Sequence, residues 1–146
     1  MSDDAYKAIY NKALDIVSRR EHSQKELSDK LIRKFDIPDL VDSVIYNLLE
    51  KNLINDCRYS EAYVVARKRK GFGPKKIMHE LVSRGINENT ASEVIHEEGG
   101  WQDAALKAFN KKYKAGIGKD FKEQNKQKVF LQNRGFSFEE IDSVFS

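Results

Sequence analysis

The sequence has little of what secreted disulfide-bonded proteins, membrane proteins and disordered linkers require. Its single cysteine, Cys57, cannot form an internal disulfide bond, and only two of its 146 residues are prolines. No apolar run approaches the ~18 residues of a membrane span, and the polar, acidic stretch 1–4 differs from a secretory signal. We therefore expect one folded protein of a reducing compartment, the cytoplasm, without a membrane partner.

Residues that could carry catalysis or bind a metal are also scarce. The three histidines are His22, His79 and His96, and none has a second histidine or a cysteine at metal-ligand spacing. The glycine-containing stretches 71–74 and 116–119 lack the sequence context of a phosphate-binding loop. We therefore expect a binding protein, with no catalytic residues, no metal and no cofactor.

Apolar residues recur at helical spacing through most of the chain, and no window alternates with period two over a useful length. Ser23 and Ser137 each begin a capping box, and Gly85 suits a left-handed C-terminal cap. Asp56 and Asn87 are predicted to cap the helices that follow them. The sequence therefore predicts an all-α protein of about nine helices.

The helical pattern repeats every fifty residues. Ser83-Arg84-Gly85-Ile86 returns as Asn133-Arg134-Gly135-Phe136, and leucines recur at positions 31, 81 and 131. The repeat predicts three tandem three-helix units over residues 1–54, 55–98 and 99–146. We expect them to form an elongated, curved, right-handed or solenoid-like array, a shape that needs no second copy and therefore suits a monomer.

The third unit departs from the repeat. The segment 113–120 separates its first helix from the next, and Gln127 occupies the place that Leu27 and Ile77 hold in the other units. The third unit is therefore predicted to be the least regular of the three.

Basic and acidic residues are concentrated on different helices. Residues 58–76 contain seven Lys and Arg against Glu61, and residues 101–134 contain nine against three acidic residues, which gives +6 in each segment. The third helices of the units are acidic. If all units stack in the same orientation, the molecule carries a basic ribbon on one side and an acidic ridge on another. The basic ribbon would attract phosphates. Alternatively, these charges only solvate the surface and attract neighbouring acidic helices.

The densest basic stretch is 67–76. It delivers four cations at a helix C-terminus, where they also complement the helix dipole, and it holds Phe72 in a glycine turn. Phe72 either inserts into a partner or stacks on a base, or it folds back as a hydrophobic staple on the next helix. Of the two, we favour the staple.

Five segments resemble the RecX family of bacterial regulatory proteins. Residues 19–27 resemble its R-x-H-S-x-x-E-L opening, and residues 56–63 its D-x-R-[FY]-x-x-x-[FY] segment. Residues 70–77 resemble its K-G-x-G-P-x-x-I turn, residues 81–86 follow that turn as they do in the family, and 134–137 match its C-terminal repeat. The likeness covers nearly the whole chain in order and is weakest between residues 113 and 128.

The resemblance implies a function. RecX proteins bind the RecA–DNA filament along its helical groove and inhibit the ATPase, strand-exchange and co-protease activities of RecA, so they modulate DNA repair and the SOS response. Arg58 and Arg84, which stand in these motifs, could instead tie helices together. The residues expected to bind RecA or DNA are Arg19, Arg20, Arg67, Lys68, Arg69, Lys70, Phe72, Lys75, Lys76, Arg84, Lys111, Lys112 and Arg134.

Two other functions are compatible with the sequence. One is a general DNA-binding protein with helix-turn-helix-like units, able to bind single- or double-stranded DNA without RecA. A recognition helix presents polar and basic residues at its N-terminal end, so the acidic third helices argue against it, whereas the second helix with Lys75 and Lys76 stays compatible. The other is a scaffold that binds only proteins.

Overall fold

The computed structural model describes residues 2–146; Met1, the first residue of the predicted first unit, lies outside them. Within this range the chain forms nine α-helices and no strand, as the apolar spacing predicted. No helix in the described range combines the length and the apolar character that crossing a bilayer requires. The helices are α1 (Ser2–Val17), α2 (Gln24–Phe35), α3 (Pro38–Glu50), α4 (Asp56–Arg69), α5 (Pro74–Ser83), α6 (Glu88–Glu98), α7 (Trp101–Lys112), α8 (Phe121–Asn133) and α9 (Phe138–Phe145).

The helices pack in three successive groups of three. In each group the first helix lies against the third, as α1 against α3, α4 against α6, and α7 against α9. Each group encloses its own cluster of buried apolar side chains. Trp101 packs against both the second and the third cluster. The predicted all-α repeat is therefore confirmed, while the predicted unit boundaries stay predictions.

The helix caps follow the sequence at every predicted position except one. Ser23 and Ser137 form complete capping boxes, Asn87 caps α6, and Gly85 has the expected left-handed backbone, with φ 88°. Asp56, predicted to cap α4, is instead its first helical residue.

Asn55 caps α4 in place of Asp56. The extended backbone of Asn55 (φ −159°, ψ 112°) directs its side chain to accept a hydrogen bond from the Arg58 N–H. The Asp56 carboxylate accepts the Gln24 N–H at 2.8 Å. The residue predicted as a cap therefore links the second unit to the first.

The first joint, between units one and two, consists of Ser23 and Lys25 against Arg84 and Gly85. The Ser23 hydroxyl donates to the Arg84 carbonyl at 3.0 Å. Gly85 faces Lys25 so closely that a Cβ on the glycine would lie 2.6 Å from the Lys25 Cβ. The start of α2 thus rests on the turn that follows α5.

The second joint, between units two and three, uses the positions fifty residues later. The Gly73 N–H donates to the Arg134 carbonyl at 2.7 Å, and the Lys75 N–H donates to the Gly135 carbonyl at 2.9 Å. A Cβ on Gly135 would lie 2.5 Å from the Lys76 Cβ. The repeated Arg-Gly pair is therefore the structural element that couples each unit to the one before it.

The corresponding turn of the first unit is built differently. Phe35 stands where units two and three have Gly85 and Gly135, and it is still part of α2. The left-handed residue of this turn is Asp36, with φ 49°. The first unit thus lacks the glycine that the other two units have in this turn.

A buried amide explains the irregularity of the third unit. The Gln127 side chain, only 6% exposed, accepts the Gly118 N–H at 2.9 Å and donates to the Gly116 carbonyl at 3.1 Å. The Gln124 side chain adds a 2.8 Å bond to the Gly118 carbonyl. Gln127 occupies a core position as a polar residue because it satisfies the backbone of the segment 113–120.

Candidate functional site

An open groove of about 640 Å³ lies between α4 of the second unit and α7 and α8 of the third unit. Its lining carries seven cationic side chains and two acidic ones, Glu98 and Asp103, which gives a net charge of +5. We call this feature the basic groove. Its cations are Lys68, Arg69, Lys70, Lys107, Lys111, Lys112 and Arg134.

Small residues bring the two walls of the basic groove together. Ala104 and Ala108 are buried on α7, and the Ala108 Cβ would lie 3.7 Å from a Cβ added at Gly71. The turn after α4 can therefore approach α7, and the end of α4 delivers its cations to the groove. On α7, Lys107 and Lys111 follow at i, i+4 spacing and share one face.

Five of the groove cations are exposed to solvent and form no salt bridge with a described residue. Of these five, Lys112 lies above the Phe130 ring, at 5.8 Å from its centroid. Such a concentration of uncompensated charge in a concave surface attracts anions, and phosphates in particular. The five are Arg69, Lys70, Lys107, Lys111 and Lys112.

Lys68 lines the groove but has internal partners. Its Nζ donates to the Glu98 carboxylate and to the Gly99 carbonyl, both at 2.8 Å, and it lies over the Trp101 ring at 5.4 Å. Lys68 therefore ties α4 to the turn before α7, and it compensates one of the two acidic residues in the groove.

Arg67 lies outside the groove and clamps α4 to α5. Its guanidinium forms two hydrogen bonds with the Glu80 carboxylate, at 2.9 and 2.7 Å, and Tyr63 donates a third at 2.8 Å. Although partial burial opposes it, these bonds lower the pKa of Glu80. Arg67 was predicted to bind a partner, but its cation is already paired within the unit.

Phe72 is half-buried and belongs to the interior. It packs against the second core cluster, which includes Ile77 at the start of α5. Arg67, Lys76 and Arg134 lie over its ring at 3.9, 5.2 and 4.9 Å from the centroid. This arrangement agrees with the predicted hydrophobic staple, and three cations of the chain itself already engage the ring.

Lys75 and Lys76 are exposed at the second joint and do not line the basic groove. Lys75 lies 5.7 Å from the Phe138 centroid, and Lys76 interacts with Phe72 as described above. The dense basic stretch of the sequence is thus divided, with Arg69 and Lys70 in the groove and the two later lysines at the joint.

A comparison with protein families matches consecutive RecX domains to this chain. The first three-helix domain of RecX matches residues 10–45, the second matches 55–95, and the third matches 102–145. The chain belongs to the RecX family.

Curated relatives and solved structures extend this finding. Regulatory protein RecX of Pseudomonas tolaasii is 33% identical over 144 residues, which cover 98% of this chain and 93% of the relative. The RecX of Halorhodospira halophila is 34% identical over 138 residues, covering 94% and 86%. A crystal structure of RecX from Lactobacillus salivarius is similar with a TM-score of 0.83 at 30% identity, covering 98% and 96%. These relatives support a regulatory role for the chain.

The RecX-like opening segment 19–27 builds the first joint. Arg84 donates to the Tyr59 hydroxyl at 3.2 Å and to the Glu26 carboxylate at 3.4 Å, and Arg20 binds the same carboxylate at 3.2 Å. Although burial opposes it, the Arg20 and Ser23 bonds lower the pKa of Glu26. The expectation that Arg84 could tie helices together fits this geometry.

His22 of the same RecX motif is buried beside the first joint, at 3% exposure. Its Nδ1 lies 3.0 Å from the Arg20 carbonyl and its Nε2 lies 2.9 Å from the Lys30 ammonium. Only a neutral ring protonated at Nδ1 satisfies both partners. Burial lowers the pKa of His22 and favours that form.

The remaining arginines of the RecX-like motifs also have internal partners. Arg58 pairs with Glu21, and Arg19 pairs with Asp15 at 3.2 Å. Neither arginine lines the basic groove. Arg19 is the more exposed of the two, with 74% of its side chain accessible.

Arg134 takes part in both the second joint and the basic groove. Its guanidinium donates to the Lys70 carbonyl at 3.3 Å and lies over the rings of Phe72 and Phe130, at 4.9 and 5.0 Å. Its backbone carbonyl accepts the Gly73 N–H. The RecX-like turn 70–77 and the segment 134–137 thus meet at the joint beside the groove.

Lys107 is a groove residue that the sequence did not lead us to expect. Lys107 lines the groove, and its i, i+4 spacing to Lys111 on a predicted helix was the signal that could have revealed it. Among the described residues no group of three or more His, Cys, Asp or Glu side chains could hold a metal ion.

Proposed function

We propose that this RecX-family protein binds the RecA–DNA filament and inhibits the recombinase, ATPase and co-protease activities of RecA, thereby modulating DNA repair and the SOS response. It acts as a monomer in the cytoplasm and needs no catalytic residue, metal or cofactor. The observation that carries the proposal is the basic groove, where five exposed cations in one concave surface form no salt bridge with any described residue. The family membership supplies RecA as the partner.

The distribution of charge supports a nucleoprotein rather than a naked nucleic acid as the target. The positive charge of the basic groove attracts anions, whereas α6 exposes three negatively charged residues, Glu88, Glu93 and Glu97, to solvent. A filament of protein on DNA offers phosphates together with protein surface, so one molecule with two oppositely charged surfaces can engage both. The acidic α6 also disfavours a helix-turn-helix in the major groove, since such a helix meets phosphates and base edges.

A binding comparison tests the proposal. The protein is titrated with a naked single-stranded oligonucleotide, with free RecA and with the assembled filament, each over a series of salt concentrations, while RecA ATPase is measured in parallel. We expect selective binding to the filament and a reduced ATPase rate. Equal affinity for naked DNA with a steep salt dependence and no effect on ATPase would instead support the general DNA-binding function.

A pair of variants locates the binding surface. Lys107→Glu with Lys111→Glu reverses two groove charges, so we expect at least about a tenfold loss of filament affinity and a matching loss of ATPase inhibition. The control is Lys122→Glu with Lys126→Glu, because these exposed lysines have the same i, i+4 spacing in the same unit but do not line the groove. Equal losses in both variants would show that net charge, and not the groove, determines binding.

A further inference from the structure

The basic groove is shared between two units. Arg69 and Lys70 belong to the second unit, at the end of α4, and Lys107, Lys111 and Lys112 belong to the third unit, on α7. An anion that contacts both walls therefore bridges the two units. The position of the second joint beside the groove gives this bridging a mechanical consequence.

The groove wall and the joint are parts of one short turn. Lys70 carries a groove cation and gives its carbonyl to Arg134, and three residues later the Gly73 N–H donates to the Arg134 carbonyl. Gly71 lies between them, and a Cβ there would approach the Arg134 guanidinium to 3.3 Å. A change in the separation of the walls is therefore transmitted to the joint through Arg134.

Electrostatic repulsion acts on this joint when the groove is empty. Like charges of the two units face one another across the groove, and Glu98, one of the two acidic residues, is engaged by Lys68. Asp103 on α7 is the remaining compensating charge. This repulsion opposes closure of the second joint, and an anion bound between the walls of the groove removes the repulsion.

The residues that line the basic groove favour the phosphates of a nucleic acid, rather than an acidic protein surface, as the anion that binds between its walls. Protein interfaces depend on aromatic anchors in apolar pockets. The aromatic ring that lines the groove, Phe130, has Arg134 and Lys112 over it and forms a T-shaped pair with Tyr113. Exposed lysines suit a chain of phosphates read without sequence preference. With no free ring, the groove offers bases nothing to stack on.

We propose that the phosphodiester backbone of a nucleic acid binds in the basic groove, bridges the second and third units and thereby stabilises the second joint, with Arg134 as the positioning residue that couples the two. The proposal rests on the proposed function only in taking the basic groove as the binding surface. When the phosphodiester backbone is bound, the groove holds units two and three in a fixed relation. Without it, the second joint opens more often.

Hydrogen exchange of two backbone amides measures this coupling. The Gly73 and Lys75 N–H groups donate across the second joint and do not line the groove, so a ligand does not cover them directly. We expect a saturating oligothymidylate to slow their exchange about tenfold, the response to a coupling of about 1.4 kcal/mol. The Gln24 N–H, which donates to Asp56 between units one and two, is the internal control and should not change.

Three variants separate binding from coupling. Lys107→Gln with Lys111→Gln should weaken oligothymidylate binding and abolish the protection, whereas Lys122→Gln with Lys126→Gln should preserve both. Arg134→Lys keeps the charge but loses the planar guanidinium that stacks and donates to Lys70. At an oligonucleotide concentration that saturates this variant as well, it should lose most of the protection at Gly73 and Lys75, with its helical content confirmed by circular dichroism.

The outcomes are distinguishable. Tight oligonucleotide binding without slower exchange at Gly73 and Lys75 refutes the coupling. Inhibition of RecA without any oligonucleotide binding refutes the phosphate assignment, indicates an acidic protein surface as the ligand and leaves the proposed function intact. Slower exchange without any effect on RecA refutes the proposed function while the present inference stands.

Discussion

Replacing Gly135 with alanine tests the importance of the second joint. Gly135 has φ 99°, and a Cβ there would lie 2.5 Å from the Lys76 Cβ and 2.6 Å from its backbone nitrogen. The first cost is conformational, since an L-residue in the left-handed region loses about 1–2 kcal/mol. The second cost is steric: because the neighbour is backbone, the two units must separate, for which overpacking suggests a further ~1–3 kcal/mol.

Gly116→Ala is the matched control. Gly116 has a similar φ of 91°, but a Cβ there meets nothing within 4 Å. It incurs the conformational cost alone, reduced by about 0.4–1 kcal/mol because alanine restricts the unfolded chain. We therefore expect a loss of about 1 kcal/mol for Gly116→Ala and about 2–4 kcal/mol for Gly135→Ala.

Urea denaturation followed by circular dichroism at 222 nm measures both losses as changes in the free energy of unfolding. Hydrogen exchange at Gly73 and Lys75, whose N–H groups donate across the joint, shows whether the joint itself has opened. If Gly135→Ala destabilises the protein no more than Gly116→Ala does, and the two amides keep their protection, the joint does not depend on a bare backbone at Gly135.

Two further predictions concern paired polar groups. Glu80→Gln should destabilise the protein by about 1–3 kcal/mol at pH 7, because it weakens the clamp with Arg67 and Tyr63. Folding lowers the pKa of Glu80 from its ordinary value of 4.5, so its contribution to stability is present above that value and is lost as the pH falls through the lower pKa of the folded state. Urea unfolding at pH 7 and pH 3 should therefore show that the difference in the free energy of unfolding between parent and variant shrinks at the lower pH. A difference that stays constant would contradict this role of Glu80. Gln127→Leu should cost about 1–3 kcal/mol and speed amide exchange at Gly118, because it leaves the backbone of the segment 113–120 without its partners; unchanged exchange at Gly118 would show that this segment does not need the amide.

Local features of the fold were predictable because they depend on neighbouring residues. The capping boxes at Ser23 and Ser137 lie within four residues of sequence, and both form. The one wrong cap concerned Asn55 and Asp56, two adjacent residues that are both able to cap. The backbone conformation decides which of two such neighbours caps the helix. The chemistry of their side chains does not reveal that conformation.

The groove was harder to predict because its composition depends on tertiary partners. The sequence shows a run of cations from Arg67 to Lys70 as equivalent, but Glu80 and Glu98, which come 13 and 30 residues later, pair with two of them. No pattern along the chain indicates those pairs. Lys107 shows the opposite case, since its isolation in sequence concealed its position beside the end of α4.

The motifs that indicate the RecX family and the cations of the groove are largely different residues. The RecX-like motifs contribute Glu26, Arg84, Gly73 and Gly135 to the joints, whereas α7 supplies three groove cations from outside those motifs. The motifs that mark the family therefore lie mostly at the joints between units, whereas most of the groove cations lie outside them.

The unequal turns of the three units determine how copies of the chain can meet. A polymer that grows end to end needs a donor surface and an acceptor surface that fit, and the joint geometry accepts only a turn with bare backbone. The first unit has no glycine there: Phe35 packs against the core cluster of its own unit, and Asp36 is the left-handed residue. Since both joints within the chain depend on a glycine at this position, we expect the first unit not to form a joint of this kind with a second copy of the chain.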